Sequence, residues 1–73
     1  MNNFVRGDII KTKYGEVGIV LGATNFGYYT WAKTVTETGL HPLNDTLNGA
    51  VLLEHAEIKD YSRISKLLQK HTK

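Results

Sequence analysis

The chain contains no cysteine, so no disulfide can staple it and no thiolate can hold a metal. Its uninterrupted apolar runs stop at four or five residues, far short of the about 20 that a membrane helix requires. No apolar stretch follows the opening MNNFVRGD, so a secretory leader is not expected. The three histidines, His41, His55 and His71, are scattered and fit no metal-binding spacing. The glycines at 15, 18 and 22 match neither phosphate-loop fingerprint, and no serine or threonine sits in a nucleophile-elbow context. These absences lead to the expectation of a cytoplasmic chain without membrane segment, metal, cofactor or enzymatic activity.

What remains is small. Seventy-three residues make one domain, 1–73, and a chain of this length buries only about 60% of the surface its unfolded form exposes. Such a core supplies roughly 3–5 kcal/mol. An economical closed sheet, or self-association into a homo-oligomer, is the expected source of further stability.

Charge is unevenly distributed. Residues 1–33 carry four basic and two acidic side chains, residues 34–58 four acidic and no Lys or Arg, and residues 59–73 five basic against Asp60. A net charge of +2 predicts no partner by itself; a basic tail following an acidic middle is more informative.

Hydrophobic periodicity organises the chain. Residues 9–12 read as a first strand, and residues 17–22 as a second, with Val17, Ile19 and Leu21 on one face and Gly18, Val20 and Gly22 on the other. Glycine inside a strand marks a bend or a close approach. Residues 28–35 read as a third strand, placing Tyr29, Trp31, Lys33 and Val35 on one face and Tyr28, Thr30, Ala32 and Thr34 on the other. Residues 39–49 read mostly as loop, with the sole proline and the turn dipeptide Asn48-Gly49. A further strand is expected at 50–54, with a short one around 57–59. Beyond Ile58 the apolar spacing becomes helical through Tyr61, Ile64 and Leu68, with Asp60 or Ser62 as cap. Lys59, Arg63, Lys66 and Lys70 then line the opposite face. Residues 1–5 and 72–73 are expected to be loose, and no internal repeat is expected.

Two features suggest a contact surface. The stretch NFGYYTW holds four of the seven aromatic residues, and strand alternation forbids all of them from facing inward. One outcome is a Tyr29–Trp31 platform beside Lys33; the other is a Tyr29–Trp31 face covered by the C-terminal helix. The helical basic stripe suits phosphates or an acidic protein surface, or is simply solvated. His55 and Glu57 are the only acid/base pair worth naming, and two residues do not make a catalytic set. Arg6-Gly7-Asp8 and Asn44-Asp45-Thr46 match an adhesion tripeptide and a glycosylation acceptor; the plainer readings are a strand entry and a turn.

The segment Phe4-Val5-Arg6-Gly7-Asp8-Ile9-Ile10, followed by Tyr14-Gly15-Glu16-Val17-Gly18-Ile19-Val20-Leu21-Gly22, resembles the SH3-like small barrels of the KOW and Tudor type. The resemblance spans residues 4–58 and leaves a helix at 59–71 as an addition. After the second strand, Ala23-Thr24-Asn25 stands where KOW segments carry a basic loop. The resemblance implies a module that binds RNA, DNA or protein segments without catalysis. In shortness and basic tail the chain also resembles small bacteriophage-encoded regulators, which bind host proteins.

The resulting expectation is a mainly β fold, an SH3-like small barrel of four to five antiparallel strands with one C-terminal helix. Val17, Ile19, Leu21, Val51 and Leu53 are expected in the core. The expected function is nucleic-acid binding through Lys11, Lys13, Tyr29, Trp31 and Lys33, aided by Arg63, Lys66 and Lys70. The alternative is a protein-interaction module.

Overall fold

The computed structural model describes residues 3–24, 26–36 and 39–72, with side chains described except over 34–40. Five strands precede one helix: β1 (Asp8–Lys11), β2 (Val17–Ala23), β3 (Tyr29–Thr36), β4 (Gly39–Asp45), β5 (Val51–His55) and α1 (Tyr61–His71). All strand pairs are antiparallel, in the order β4-β3-β2-β1-β5. The chain meanders through four strands and then returns, in five residues, to pair β5 with β1 on the far edge. Leu47 and Ala50 of that return are buried against the sheet, so the fold is one curled, barrel-like sheet.

Both faces of the sheet are covered, by different means. On one face Ile9, Val17, Ile19 and Ala32 pack against Ala56 and the helix residues Ile64 and Leu68. Burying two such aliphatic side chains contributes about 1.5–3 kcal/mol each. Asp60 starts the helix, its Oδ1 accepting the Arg63 N–H at 3.2 Å. Lys70 and His71 in the last turn complement the dipole. On the other face Ile10, Val20, Tyr29 and Trp31 pack with Leu47 and Ala50.

A glycine makes room for the tryptophan. A Cβ on Gly18 would lie 2.3 Å from Trp31 Cε3 and 2.7 Å from the Ala32 carbonyl oxygen. The indole therefore occupies the space a side chain at position 18 would fill, and Trp31 is only 2% exposed.

Several expectations are corrected. Gly39–Asp45 is a strand, where a loop was expected; Pro42 is tolerated because β4 is an edge. No strand forms at 57–59, where the chain turns into α1. Val51 is exposed, and Leu21 and Leu53 are only partly buried, because β5 is the opposite edge and β2 and β5 each carry an irregularity in register at those positions. Phe4 is not loose: its ring meets Tyr29 edge-on at 5.5 Å between centroids, and its N–H donates to the Tyr29 hydroxyl. Thr72 caps α1. The expected placement of Thr34 and Val35 lies outside the described side chains, and residues 1, 2, 25, 37, 38 and 73 lie outside the described chain.

Candidate nucleic-acid interface

Two hairpin turns are built the same way. The first, Thr12-Lys13-Tyr14-Gly15-Glu16, joins β1 to β2; the second, in which Thr24, Phe26, Gly27 and Tyr28 are described, joins β2 to β3. In each, the threonine N–H donates to the carbonyl four residues on, at 2.7 Å in both turns. In each, the threonine Oγ1 accepts the N–H of the aromatic two residues on and of the residue four on: 3.2 and 3.1 Å in the first, 3.4 and 3.2 Å in the second. In each, a glycine closes the loop at positive φ, +86° at Gly15 and +81° at Gly27. A Cβ on either glycine would meet nothing within 4 Å, so both are required for backbone conformation alone. The first turn is the three-residue hairpin loop with a left-handed closing residue, and the second shares its hydrogen bonds and its closing glycine.

The consequence is that both turns hold an aromatic side chain in solvent. Tyr14 is 76% exposed and Phe26 87% exposed. A large ring left this exposed on a tightly hydrogen-bonded turn contributes nothing to the core. β2, seven residues long, separates the two turns, placing them about 23 Å apart along the strand.

The surroundings of the two rings differ. Lys13 extends its ammonium over the Tyr14 ring, 5.3 Å from the centroid. Its stem rests against Gly49, where a Cβ would stand 3.2 Å from that of Lys13. Lys11 leads into the same turn, and neither lysine forms an ion pair among the described residues. The one carboxylate lining the adjacent cleft, Asp45, accepts the Leu47 N–H. Around the second turn a cleft of about 500 Å³ is lined by Ala23, Thr24, Phe26, Tyr28 and Asn44, with no charged side chain among the described residues.

Of the residues singled out from the sequence, Tyr29 and Trp31 are corrected: both are buried and offer no platform. They are covered by Leu47, Ala50 and Phe4, and α1 lies on the opposite face, over Ala32. Lys33 is drawn into a 2.5 Å pair with Glu16. Lys70 lies 3.5 Å from Glu54, which also accepts from His71. That histidine bond, chiefly, holds the Glu54 carboxyl below its ordinary value. Arg63 and Lys66 are exposed on α1 and form no ion pair among the described residues. Lys59 precedes the helix and pairs with Glu57 at 2.8 Å. The structure thus leaves Lys11, Lys13, Arg63 and Lys66 available.

The exposed rings of Tyr14 and Phe26 were not singled out from the sequence, although the repeat Thr-x-aromatic-Gly, twelve positions apart, is present in it. His55 and Glu57 line the same cleft. His55 Nδ1–H donates to the buried carboxylate of Asp8 at 2.7 Å, beside a cleft of about 330 Å³ that includes Glu57. Arg6-Gly7-Asp8 is a strand entry with Gly7 and Asp8 both buried. Among the described residues, no three His, Asp or Glu side chains gather as a metal site, and no helix is long and apolar enough to cross a membrane.

Comparison with protein-family models, with curated proteins and with solved structures yields no match.

Proposed function

We propose that the chain is a non-enzymatic module that binds nucleic acid at the turn between β1 and β2. The observation that carries this reading is the Tyr14 ring, held out in solvent with the Lys13 ammonium 5.3 Å from its centroid, on a turn that Lys11 leads into; neither lysine has a carboxylate partner among the described residues. An exposed ring offers a stacking face to an unpaired base, and the adjacent ammonium groups meet the phosphates that flank it. Arg63 and Lys66 supply further phosphate contacts from α1. The curled sheet and its strand order accord with the small-barrel plan that residues 4–22 resemble, and a cytoplasmic setting fits a nucleic-acid ligand.

Fluorescence anisotropy with a labelled single-stranded oligonucleotide tests the reading. Binding weakens in Tyr14→Ala, and more in the double substitution Lys11→Ala, Lys13→Ala. Equal binding by all three proteins would refute it. The alternative of a protein-interaction module draws on the uncharged cleft at Phe26 and Tyr28. A partner retained from lysate after nuclease treatment, and lost in Phe26→Ala, would favour that alternative.

A further inference from the structure

The two hairpin turns share sequence, hydrogen bonds, glycine conformation and a solvent-held aromatic, yet only the first has a part in the function proposed above. A chain with so small a core gains nothing in stability from leaving Phe26 almost wholly in water. The hydrogen bonds to the Thr24 hydroxyl and the positive φ of Gly27 fix the turn that displays it. An identical device at both ends of β2 performs the same task twice.

We infer that Phe26 is a second base-stacking site, so that one single strand of nucleic acid reaches from Tyr14 to Phe26. This rests on the reading of the first turn as a nucleic-acid contact. The uncharged cleft beside Phe26 suits a base, which stacks through its π-face without needing a cation, whereas the lysines at the first turn suit the backbone. Tyr28, half exposed in the same cleft, adds a second ring, and Asn44 adds an amide able to meet a base edge. α1 packs on β3 and β2 and exposes Arg63 and Lys66, two further cations for the phosphates of a longer strand.

Two sites joined by one ligand produce a length requirement. An oligonucleotide too short to span about 23 Å engages one ring only, and a longer one gains the second contact at high effective concentration. The experiment measures affinity for labelled oligo(dT) of about 4 to about 16 nucleotides, the range of site sizes for small barrels, against wild type, Phe26→Ala, Phe26→Trp and Tyr14→Ala. Affinity of the wild type is expected to rise abruptly once both rings are reached. Phe26→Ala is expected to remove that rise, weakening the long oligonucleotides by roughly 5- to 150-fold, the range one stacked base carries. It leaves the shortest unchanged, and Phe26→Trp restores the rise. Because Phe26 is exposed, its substitution leaves the thermal midpoint in place, which excludes unfolding as the cause. Length-dependent binding that Phe26→Ala does not alter, with Tyr14→Ala still weakening it, overturns this inference alone and returns the cleft to a protein ligand. Absence of binding at every length overturns the functional reading on which it rests.

Discussion

Replacing Gly18 by alanine tests the packing on which the fold turns. The added methyl would sit 2.3 and 2.5 Å from two carbons of the Trp31 ring and 2.7 Å from the Ala32 carbonyl oxygen. Ordinary contact between carbons begins at about 3.5 Å. The indole cannot retreat, because its other side meets the core formed with Val20, Leu47 and Ala50, and the carbonyl belongs to a paired strand. Overpacking of this kind costs about 1–3 kcal/mol, occasionally more, and the double contact with ring and backbone places Gly18→Ala at the upper end. Against a total margin of roughly 3–5 kcal/mol, a loss of about 3 kcal/mol leaves a chain barely folded. At about 4–8 °C per kcal/mol for this size, the thermal midpoint drops by roughly 12–24 °C. Gly22 is the control, since it lies in the same strand and nothing stands within 4 Å of its Cβ position. Gly22→Ala is expected to be neutral or to stabilise by about 0.4–1 kcal/mol, through a less mobile unfolded chain. Urea unfolding followed by the fluorescence of Trp31, the sole tryptophan, reads both variants. Two substitutions with the same small effect would refute the account of Gly18 as the seat of the indole.

Three other outcomes follow from particular contacts. Gly7 has φ +98° and a Cβ position 2.6 Å from the Ala56 carbonyl oxygen, so Gly7→Ala is expected to destabilise by more than about 1 kcal/mol in the same urea assay. Glu54 has its folded-state pKa lowered from 4.5, chiefly by the His71 hydrogen bond, which outweighs the opposing effect of burial, with a lesser lowering from Lys70. Its stabilising contribution is therefore full above that value and is lost as pH falls through the lowered folded value. Accordingly, the excess thermal midpoint of wild type over Glu54→Gln shrinks as the pH is taken down through the carboxylate range. Thr12→Val keeps the shape of the side chain but removes the acceptor for two turn N–H groups. It is expected to raise amide hydrogen exchange at Tyr14 and Glu16 and to leave that of β3 unchanged.

How much of this was legible in the sequence varies with the physical origin of each feature. The period-two pattern of β2 separates Val17 and Ile19 from Val20, which the structure buries on opposite faces, and the helical spacing of Ile64 and Leu68 reports the buried side of α1, so both elements were readable. Asn48-Gly49 marked the turn before β5, and Gly49 indeed sits at φ +77°. β4 was not readable, because an edge strand tolerates Pro42 and polar side chains that a central strand would reject. The burial of Tyr29 and Trp31 depends on a partner distant in sequence. Gly18 and Val20 lie on one face, and the space above Gly18 becomes meaningful only when Val20 is known to oppose Trp31. Once that face is filled, α1 must cover the other, where Ala32 lets it approach closely. Of the eight contact residues read from the sequence, strand alternation alone could not tell which side held Tyr29 and Trp31, and no one-dimensional pattern reveals that Glu16 captures Lys33 or that Glu54 lies beside Lys70. Tyr14 and Phe26 were readable in principle. Their signal is a repeated five-residue turn, shorter than the repeats for which a sequence is usually searched.

The central claim is that cations without acidic partners, gathered near the exposed Tyr14 ring and on α1, meet the phosphates of a single strand. Its most direct measurement is the dependence of oligonucleotide affinity on salt. With Lys11, Lys13, Arg63 and Lys66 each neutralising one phosphate, log K against log salt concentration is expected to fall with a slope of about −2.8, and with about −1.4 in the double substitution Lys11→Ala, Lys13→Ala. An affinity indifferent to salt, or a slope that the double substitution leaves unchanged, would contradict it.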